Sequence, residues 1–493
     1  MSFKALFGLA FIPLSLLVGI LLACLFQRVR DLFFVLLVFF SPFIERLDVN
    51  FDSHEWYRGT SRGFEFSLLD ILSVSLLVSS ILMPRRGEAR FYWVPSLGFM
   101  LLFFAYACFN VAVSDPQLFG LFELLKMSKG LILVVGVALY LRSERELRLL
   151  ILALGLLVCY EGLLALDQRY HYGLYRVPGT LDDSNSLSVF LCATAPVFVA
   201  AINSKLPKFL KLISVAAIPL AFVGVILTIS RAGVVIISLV MLGAALATVS
   251  YRITLRRISV ALLVMLCASG VMAKSWKTLA ARFKESSLKD EYGNKRNLGR
   301  GYYIRVAKAI VSEQWLGVGL NNWSYWVSDK YGPMLGYRFV SYWGVDTEPS
   351  DKIPSGSNVD EAQAAPAHSL GALTLGELGV PGFALFTLVW LRWFQMGGTF
   401  LLPRTGDPMR RIGVGLFFAF WGIFLQSLFE WVFRHLPVYY TFHILLGALA
   451  SLYYLRRERV RALTRPREPD EAVRALPHQS AHVPLAARTA WVL

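Results

Sequence analysis

The sequence predicts an all-α integral membrane protein with about 12 or 13 transmembrane helices and one large loop outside the bilayer. Of its 493 residues, 56% are hydrophobic, and the mean hydropathy is +0.56, which is too apolar for a water-soluble domain. Stretches long enough to span the hydrocarbon core recur along the chain, for example at residues 6–26, 94–113, 212–229 and 438–455. Backbone polar groups in lipid must be satisfied within their own segment, so we expect helices.

The basic residues indicate how these helices are oriented. The chain has 49 Lys and Arg residues against 33 Asp and Glu, a net charge of +16, but the cations cluster in every second linker, as cytoplasmic loops do. This distribution does not favour a nucleic-acid partner. The linkers predicted to face the other side are residues 48–65, 167–183, 230–233, 274–368 and 430–436. The first two segments can be interpreted in two ways, which leaves the side of the N-terminus open.

The linker pattern divides the chain into four parts. We expect an N-terminal transmembrane bundle at residues 1–273, a large outer loop domain at 274–368 and C-terminal transmembrane helices at 369–455. Residues 456–493 are expected to be a disordered, basic cytoplasmic tail. The first apolar segment is interpreted as a retained helix. The five cysteines all lie in apolar segments and are expected to be small core residues.

A histidine stands where the large loop re-enters the membrane. His368-Ser369 is followed by nine residues and then by a pair of glycines, Gly379 and Gly382. A histidine that faces an aqueous cavity can serve as a general base near neutral pH, and glycines let helices approach closely. The alternative interpretation is a structural histidine at the interface with a helix-packing glycine pair.

Arginines in two outer segments are candidates for binding a phosphate group. Arg231 is a lone cation at the outer end of an apolar hairpin, where the rule for cytoplasmic loops does not account for it. Arg300 lies between two glycines, which permit close approach of a bulky anion, and Arg305 follows on the same predicted helix. The alternatives are an Arg231 that reaches lipid headgroups and a solvated basic helix start at Arg300.

The outer loop at residues 176–185 combines Arg176 with Asp182, Asp183 and Asn185. A turn followed by a helix cap accounts for these residue types. In a functional interpretation, Arg176 would bind phosphate and the carboxylates would contact sugar hydroxyls or a metal. Two adjacent aspartates are a weak metal signal, and the outer loops contain no convincing cluster of ligands, so no metal or other cofactor is expected.

Taken together, these motifs resemble the O-antigen ligase and O-antigen polymerase family of bacterial membrane glycosyltransferases. The run from His368 to Gly382 fits the family pattern of a His, then Asn, Ser or Gln, nine residues and a Gly-x-x-Gly. Arg231 with Val235 is similar to a second motif, in which ligases usually carry leucine at the later position. Further matches are Gly299-Arg300 with Ala307, Leu316-Gly317-Val318-Gly319 after Trp315 in place of a proline, and Gly179-Thr180 with Asn185.

The resemblance implies a glycosyltransferase C-like fold and a substrate. The donor would be a glycan on undecaprenyl pyrophosphate at the periplasmic face of the inner membrane, and the acceptor a sugar hydroxyl of a glycan or glycolipid. Arg231 and Arg300 would bind the leaving pyrophosphate, while His368 would take the acceptor's proton or orient the sugar. The transfer would be inverting and independent of metal ions. Further candidates for substrate binding are Arg176, Arg305 and Asn185.

The identity of the acceptor stays open. An O-antigen or exopolysaccharide polymerase adds the chain to another lipid-linked repeat, whereas a ligase adds it to lipid A-core or to a protein. Val235 in place of leucine favours the polymerase, for which a flippase and a chain-length regulator would be partners. A polysaccharide transporter or flippase is the alternative from another class, but it predicts polar or broken helices at mid-membrane, whereas the charges here concentrate at the outer ends and in the loop.

Overall fold

The computed structural model describes residues 3–46, 48–54, 56–85, 89–248, 269–278, 300–337, 363–402 and 407–464, with residues 262, 266, 280, 281 and 339. The chain divides into two compact units, Met1–Tyr454 and Leu455–Leu493. The tail predicted to be disordered comprises residues 456–493, but residues 456–464 are helical and continue the helix Leu436–Thr464. Residues 465–493 and Gly299 of the predicted anion-binding turn lie outside the described residues. The division between helix bundle and outer loop domain stays a prediction.

Helices make up most of the described structure. The long helices are α1 (Phe3–Leu25), α2 (Gln27–Phe39), α3 (Leu68–Leu82), α4 (Leu97–Val113), α5 (Leu118–Tyr140), α6 (Glu144–Tyr170), α7 (Ser184–Ile202), α8 (Lys208–Leu227), α9 (Arg231–Thr248), α10 (Arg300–Glu313), α11 (Leu370–Gly398), α12 (Arg410–Ser427) and α13 (Leu436–Thr464). Short helical turns lie at Ser41–Arg46, Trp323–Trp326, Val327–Tyr331, Gly332–Met334 and Val432–Arg434. Strand structure in the described ranges is one antiparallel ribbon, β1 (Asp48–Asn50) with β2 (Glu65–Ser67).

The predicted class, an all-α integral membrane protein, is confirmed. Six helices within the described residues, α6 to α9, α11 and α13, are long and apolar enough to cross a bilayer. α5 has 23 residues but carries Glu123, Lys126 and Lys129, whose charges are paired inside the protein. The total of about 12 or 13 spanning helices stays a prediction. Four of the five cysteines are described, and all four are free thiols within helices.

Linkers that the charge pattern assigns to one side of the membrane contact one another. In the basic set, Arg30 on α2 donates to the Met83 carbonyl at 3.0 Å, and Arg85 pairs with Glu146 at 2.8 Å. In the other set, Arg58 donates to the Gln363 carbonyl at 3.1 Å. This grouping agrees with alternating linkers at opposite ends of the bundle. Which end faces the periplasm stays a prediction.

The helix that follows His368 is broken by a glycine. Within α11, Gly379 has φ 65° and ψ −167°, a backbone conformation that is essentially restricted to glycine. The break frees backbone groups of α11, and the loop at residues 315–319 pairs with them. These hydrogen bonds join Val318 N to Gly376 O (3.0 Å), Gly319 N to Glu377 O (2.9 Å) and Val380 N to Trp315 O (3.0 Å). The two glycine-containing motifs therefore form one structural joint.

The two glycines of the histidine motif have different roles. A Cβ at Gly379 would lie 2.1 Å from the Trp315 carbonyl oxygen. This glycine therefore allows close contact with the loop at residues 315–319 and not with a neighbouring helix. A Cβ at Gly382 would lie 2.8 Å from the Tyr106 ring of α4, as expected of a glycine between packed helices. The predicted packing role is thus confirmed for Gly382 and wrong for Gly379.

We predict that Gly379→Ala lowers stability strongly while Gly371→Ala, in the same helix, does not. Alanine at position 379 would be held in a conformation that costs about 1–3 kcal/mol, and it would also collide with the Trp315 carbonyl. At position 371 the nearest atom would be 3.8 Å away, and alanine favours a helix over glycine. Thermal unfolding of the two variants in detergent measures the difference. Equal melting temperatures would show that the backbone conformation at Gly379 is not needed for stability.

Candidate active site

His368 and Glu430 form the centre of the site. The His368 Nδ1 atom lies 2.7 Å from Glu430 Oε2, and the ring packs against Tyr303 of α10 with centroids 5.6 Å apart. His368 immediately precedes the cap of α11, where Ser369 accepts from the Ala372 amide. With Nδ1 directed at the carboxylate, the other ring nitrogen, Nε2, is available for a substrate.

The pKa of His368 is raised above its ordinary value. Burial of the ring alone would lower this pKa, but the hydrogen bond and the negative charge of Glu430 outweigh it. Arg300 opposes the rise, and Asp183 adds to it. The carboxylate therefore stabilises the imidazolium that forms when His368 accepts a proton.

Arg300 joins the same group of charges. It begins α10, its Nη2 atom lies 3.4 Å from Glu430 Oε1, and its Nε atom donates to the Phe429 carbonyl at 3.1 Å. One carboxylate thus bridges the predicted base and one of the predicted phosphate-binding arginines.

The i, i+4 spacing of Glu430 and Arg434 in the sequence predicts an ion pair, and this prediction is wrong. α12 ends at Ser427 and the chain turns, so the two side chains point to different partners. Arg434 pairs instead with Glu123 of α5, at 3.0 Å, and with Glu377 of α11. Lys126 completes this buried cluster, since it pairs with Glu123 at 2.7 Å and donates to the Arg434 carbonyl at 2.8 Å.

A polar cavity of about 750 Å³ lies beside His368, within the range of about 300–1,000 Å³ that ligand sites occupy. Four chain segments line the cavity. Each lies in, or directly beside, a linker that is predicted to face the same side of the membrane. The polar and aromatic lining residues of the cavity include Asp48, Asn50, Ser53, Arg58, Thr60, Arg62, Glu65, Asp183, Asn185, Ser186, His368, Glu430, Trp431 and His435.

The structure brings some of the other predicted residues to this cavity. Arg176 donates from Nη2 to Asn185 Oδ1 at 2.7 Å and from Nε to the Thr228 carbonyl at 3.1 Å. Asn185 lines the cavity, so Arg176 supports its wall. The predicted helix cap is also present, because Asp183 accepts from the amides of Asn185 and Ser186.

The structure places the remaining two predicted arginines on α9 and α10. Arg231 is the first residue of α9 and follows the turn that holds Thr228. Arg305 lies on α10, beyond Arg300. Arg231, Arg300 and Arg305 are not among the described residues that line the cavity.

Several lining residues are missing from the sequence-based candidates. His435 is a second histidine, with Nδ1 3.1 Å from the Ser186 hydroxyl. Asp48, Asn50 and Glu65 come from the β-ribbon, for which the alternation of polar and apolar residues over 48–51 is a signal. Glu430 was not a candidate because its spacing from Arg434 predicted an ion pair between the two. In the described ranges, no group of three or more His, Cys, Asp or Glu side chains is arranged to hold a metal ion; metal independence of the reaction stays a prediction.

A comparison with protein families gives an independent assignment. Residues 216–387, about a third of the chain, match the family model described as O-antigen ligase. The matched segment contains Arg231, Arg300, His368 and the joint at Gly379. No curated protein matches the chain significantly. This match supports the resemblance, found in the sequence, to the O-antigen ligase and polymerase family of membrane glycosyltransferases.

Proposed function

We propose that the protein transfers a glycan from undecaprenyl pyrophosphate to an acceptor sugar hydroxyl at the periplasmic face of the inner membrane. The observation that carries this proposal is the His368–Glu430 hydrogen bond at the wall of a polar cavity. A histidine oriented by a carboxylate and open to a cavity is suited to activating a hydroxyl group. Such activation is what the acceptor side of a glycosyl transfer requires.

The chemical step is a single displacement. His368 Nε2 takes the proton of the acceptor hydroxyl, whose oxygen attacks the anomeric carbon of the donor sugar. The bond between that carbon and the phosphate oxygen breaks, and the pyrophosphate leaves with the electron pair. Attack opposite the leaving group inverts the anomeric configuration. Glu430 stabilises the imidazolium and passes no proton.

Charge develops on the departing pyrophosphate, and arginines are the side chains best suited to receive it. A guanidinium group binds phosphate oxygens through two parallel hydrogen bonds. Arg300 is held near His368 through Glu430, and Arg231 lies at the start of α9, so both are proposed to bind the leaving group. A pyrophosphate needs no protonation to leave, which is why no acid and no metal are required of the site.

The acceptor is proposed to be another lipid-linked repeat, which makes the protein a polymerase of O-antigen or exopolysaccharide. The ligase activity is the second candidate, favoured by the description of the matched family model. A deletion strain separates the two. Products limited to one repeat indicate a polymerase, and long chains that stay unattached to lipid A-core indicate a ligase.

Removing His368 should slow catalysis strongly but leave donor binding intact. We predict that His368→Ala slows transfer by about 10²- to 10⁴-fold, the usual loss for a general base. Arg231→Lys and Arg300→Lys keep the positive charge but lose the planar guanidinium that binds two phosphate oxygens at once. Each should therefore lower the transfer rate on the order of tenfold or more. The assay is transfer by purified protein supplied with lipid-linked glycan.

Arg148→Lys serves as the control, since Arg148 is exposed and pairs across a helical turn with Glu144. Each variant must match the wild type in membrane yield and melting temperature. Wild-type rates in His368→Ala, or in both Arg231→Lys and Arg300→Lys, would remove these residues from the mechanism.

The pH dependence should report the His368–Glu430 pair. The base must be neutral, so activity falls as the pH drops through the pKa of His368, which Glu430 raises. In Glu430→Gln the charge of residue 430 is lost, while Arg300 still lowers the pKa of His368 and Asp183 still raises it. The acid limb of the pH–rate profile should therefore move to lower pH while the maximal rate falls. If the acid limb of Glu430→Gln stayed at the wild-type pH, a group other than His368 would control the loss of activity at low pH.

A further inference from the structure

The β-ribbon presents a polar face to the cavity beside His368. β1 and β2 pair with Asn50 opposite Glu65 and Asp48 opposite Ser67. Side chains on a strand alternate between faces, and directly opposed residues share a face. Asp48, Asn50 and Glu65 are therefore on one face, and all three line the cavity, whereas Val49 points to the other.

The ribbon is held firmly against the segment that carries the histidine. The loop between the strands closes through His54 N to the Arg62 carbonyl, at 2.8 Å. Arg58 in this loop donates from its backbone amide to Gln363 Oε1 and from its guanidinium to the Gln363 carbonyl, both at 3.1 Å. Gln363 lies five residues before His368 in the same chain segment. The polar face is thus fixed in position relative to the proposed base.

The chemistry of this face suits sugar hydroxyls better than phosphate. Carboxylates accept hydrogen bonds and do not donate them, whereas the carboxamide of Asn50 does both. Sugar hydroxyls match such a set, and the negative charges of Asp48 and Glu65 disfavour a pyrophosphate on the strands themselves. Arg58 and Arg62, in the loop between the strands, also line the cavity and can donate to sugar hydroxyls. Trp431 also lines the cavity and adds the kind of aromatic surface with a polar edge that binding sites favour.

The ribbon also lies outside residues 216–387, which match the family model. His368, Arg231 and Arg300 lie within that match. The matched segment therefore contains the proposed base and the proposed phosphate-binding arginines, whereas Glu430 and the ribbon reach the same cavity from parts of the chain outside the match.

The geometry points to a subsite for the acceptor sugar, formed by Asp48, Asn50 and Glu65 on the cavity face of the β-ribbon together with Trp431. This inference rests on the proposed glycosyl transfer and assigns the acceptor to a position in the cavity. The subsite hydrogen-bonds to hydroxyl groups of the acceptor and turns the reacting hydroxyl toward His368. It takes no part in the proton transfer, so its residues determine which acceptor binds.

The subsite is tested by measuring transfer kinetics with an acceptor glycan that lacks the lipid pyrophosphate and therefore cannot also serve as the glycan donor. The acceptor is the glycan released from the lipid-linked donor by mild acid and coupled at its reducing end to octylamine; if wild type does not use it, lipid A-core takes its place. Asn50→Ala and Glu65→Gln should each raise the acceptor KM about tenfold, the effect expected for a lost hydrogen bond. The donor KM and kcat should change less than twofold.

Val49→Ala is the matched control, since residue 49 lies on the same strand with its side chain on the other face, and its acceptor KM should stay at the wild-type value. Asp48→Asn provides a third, nearly isosteric test if either main variant melts below the wild type. Acceptor KM values within twofold of wild type in all three variants, with His368→Ala inactive, would overturn the subsite alone. A His368→Ala variant that transfers at the wild-type rate, or a wild type that uses neither acceptor, would overturn the proposed function.

Discussion

The position of the cavity depends on the buried ion cluster around Arg434. This arginine pairs with Glu123 of α5 and Glu377 of α11, and Lys126 donates to its backbone carbonyl. The four side chains are almost wholly buried, so removing one partner would leave an uncompensated charge at a cost of about 3–5 kcal/mol. The cluster thereby fixes the turn that carries Glu430 and His435 into the cavity.

Glu377 connects this cluster to the broken helix. Its side chain pairs with Arg434, while its carbonyl accepts from the Gly319 amide where α11 is interrupted at Gly379. One residue thus joins the loop at 315–319, the helix that follows His368 and the turn that holds Glu430. The His368–Glu430 contact is formed between two segments that meet through Glu377 and Arg434. This explains how the proposed base and its orienting carboxylate, far apart in sequence, lie 2.7 Å apart.

Much of the fold follows from the sequence, because hydrophobic runs and alternating basic linkers are local signals. His368 and Asn185 were found as candidates, and both line the cavity. Glu430 was assigned to the wrong partner because spacing along a helix predicts proximity only where the helix continues, and α12 has ended before it. The left-handed backbone at Gly379 depends on a loop about 60 residues earlier, which no local pattern reveals.

The acceptor hydroxyl and the donor are proposed to meet in this cavity. A cryo-electron microscopy structure of the inactive His368→Ala variant, in nanodiscs with the lipid-linked glycan, tests it most directly. We expect density for a sugar in the cavity between residue 368 and the β-ribbon, and density for the pyrophosphate beside Arg231 and Arg300. Glycan density at another place on the protein, with the cavity filled by solvent alone, would contradict it.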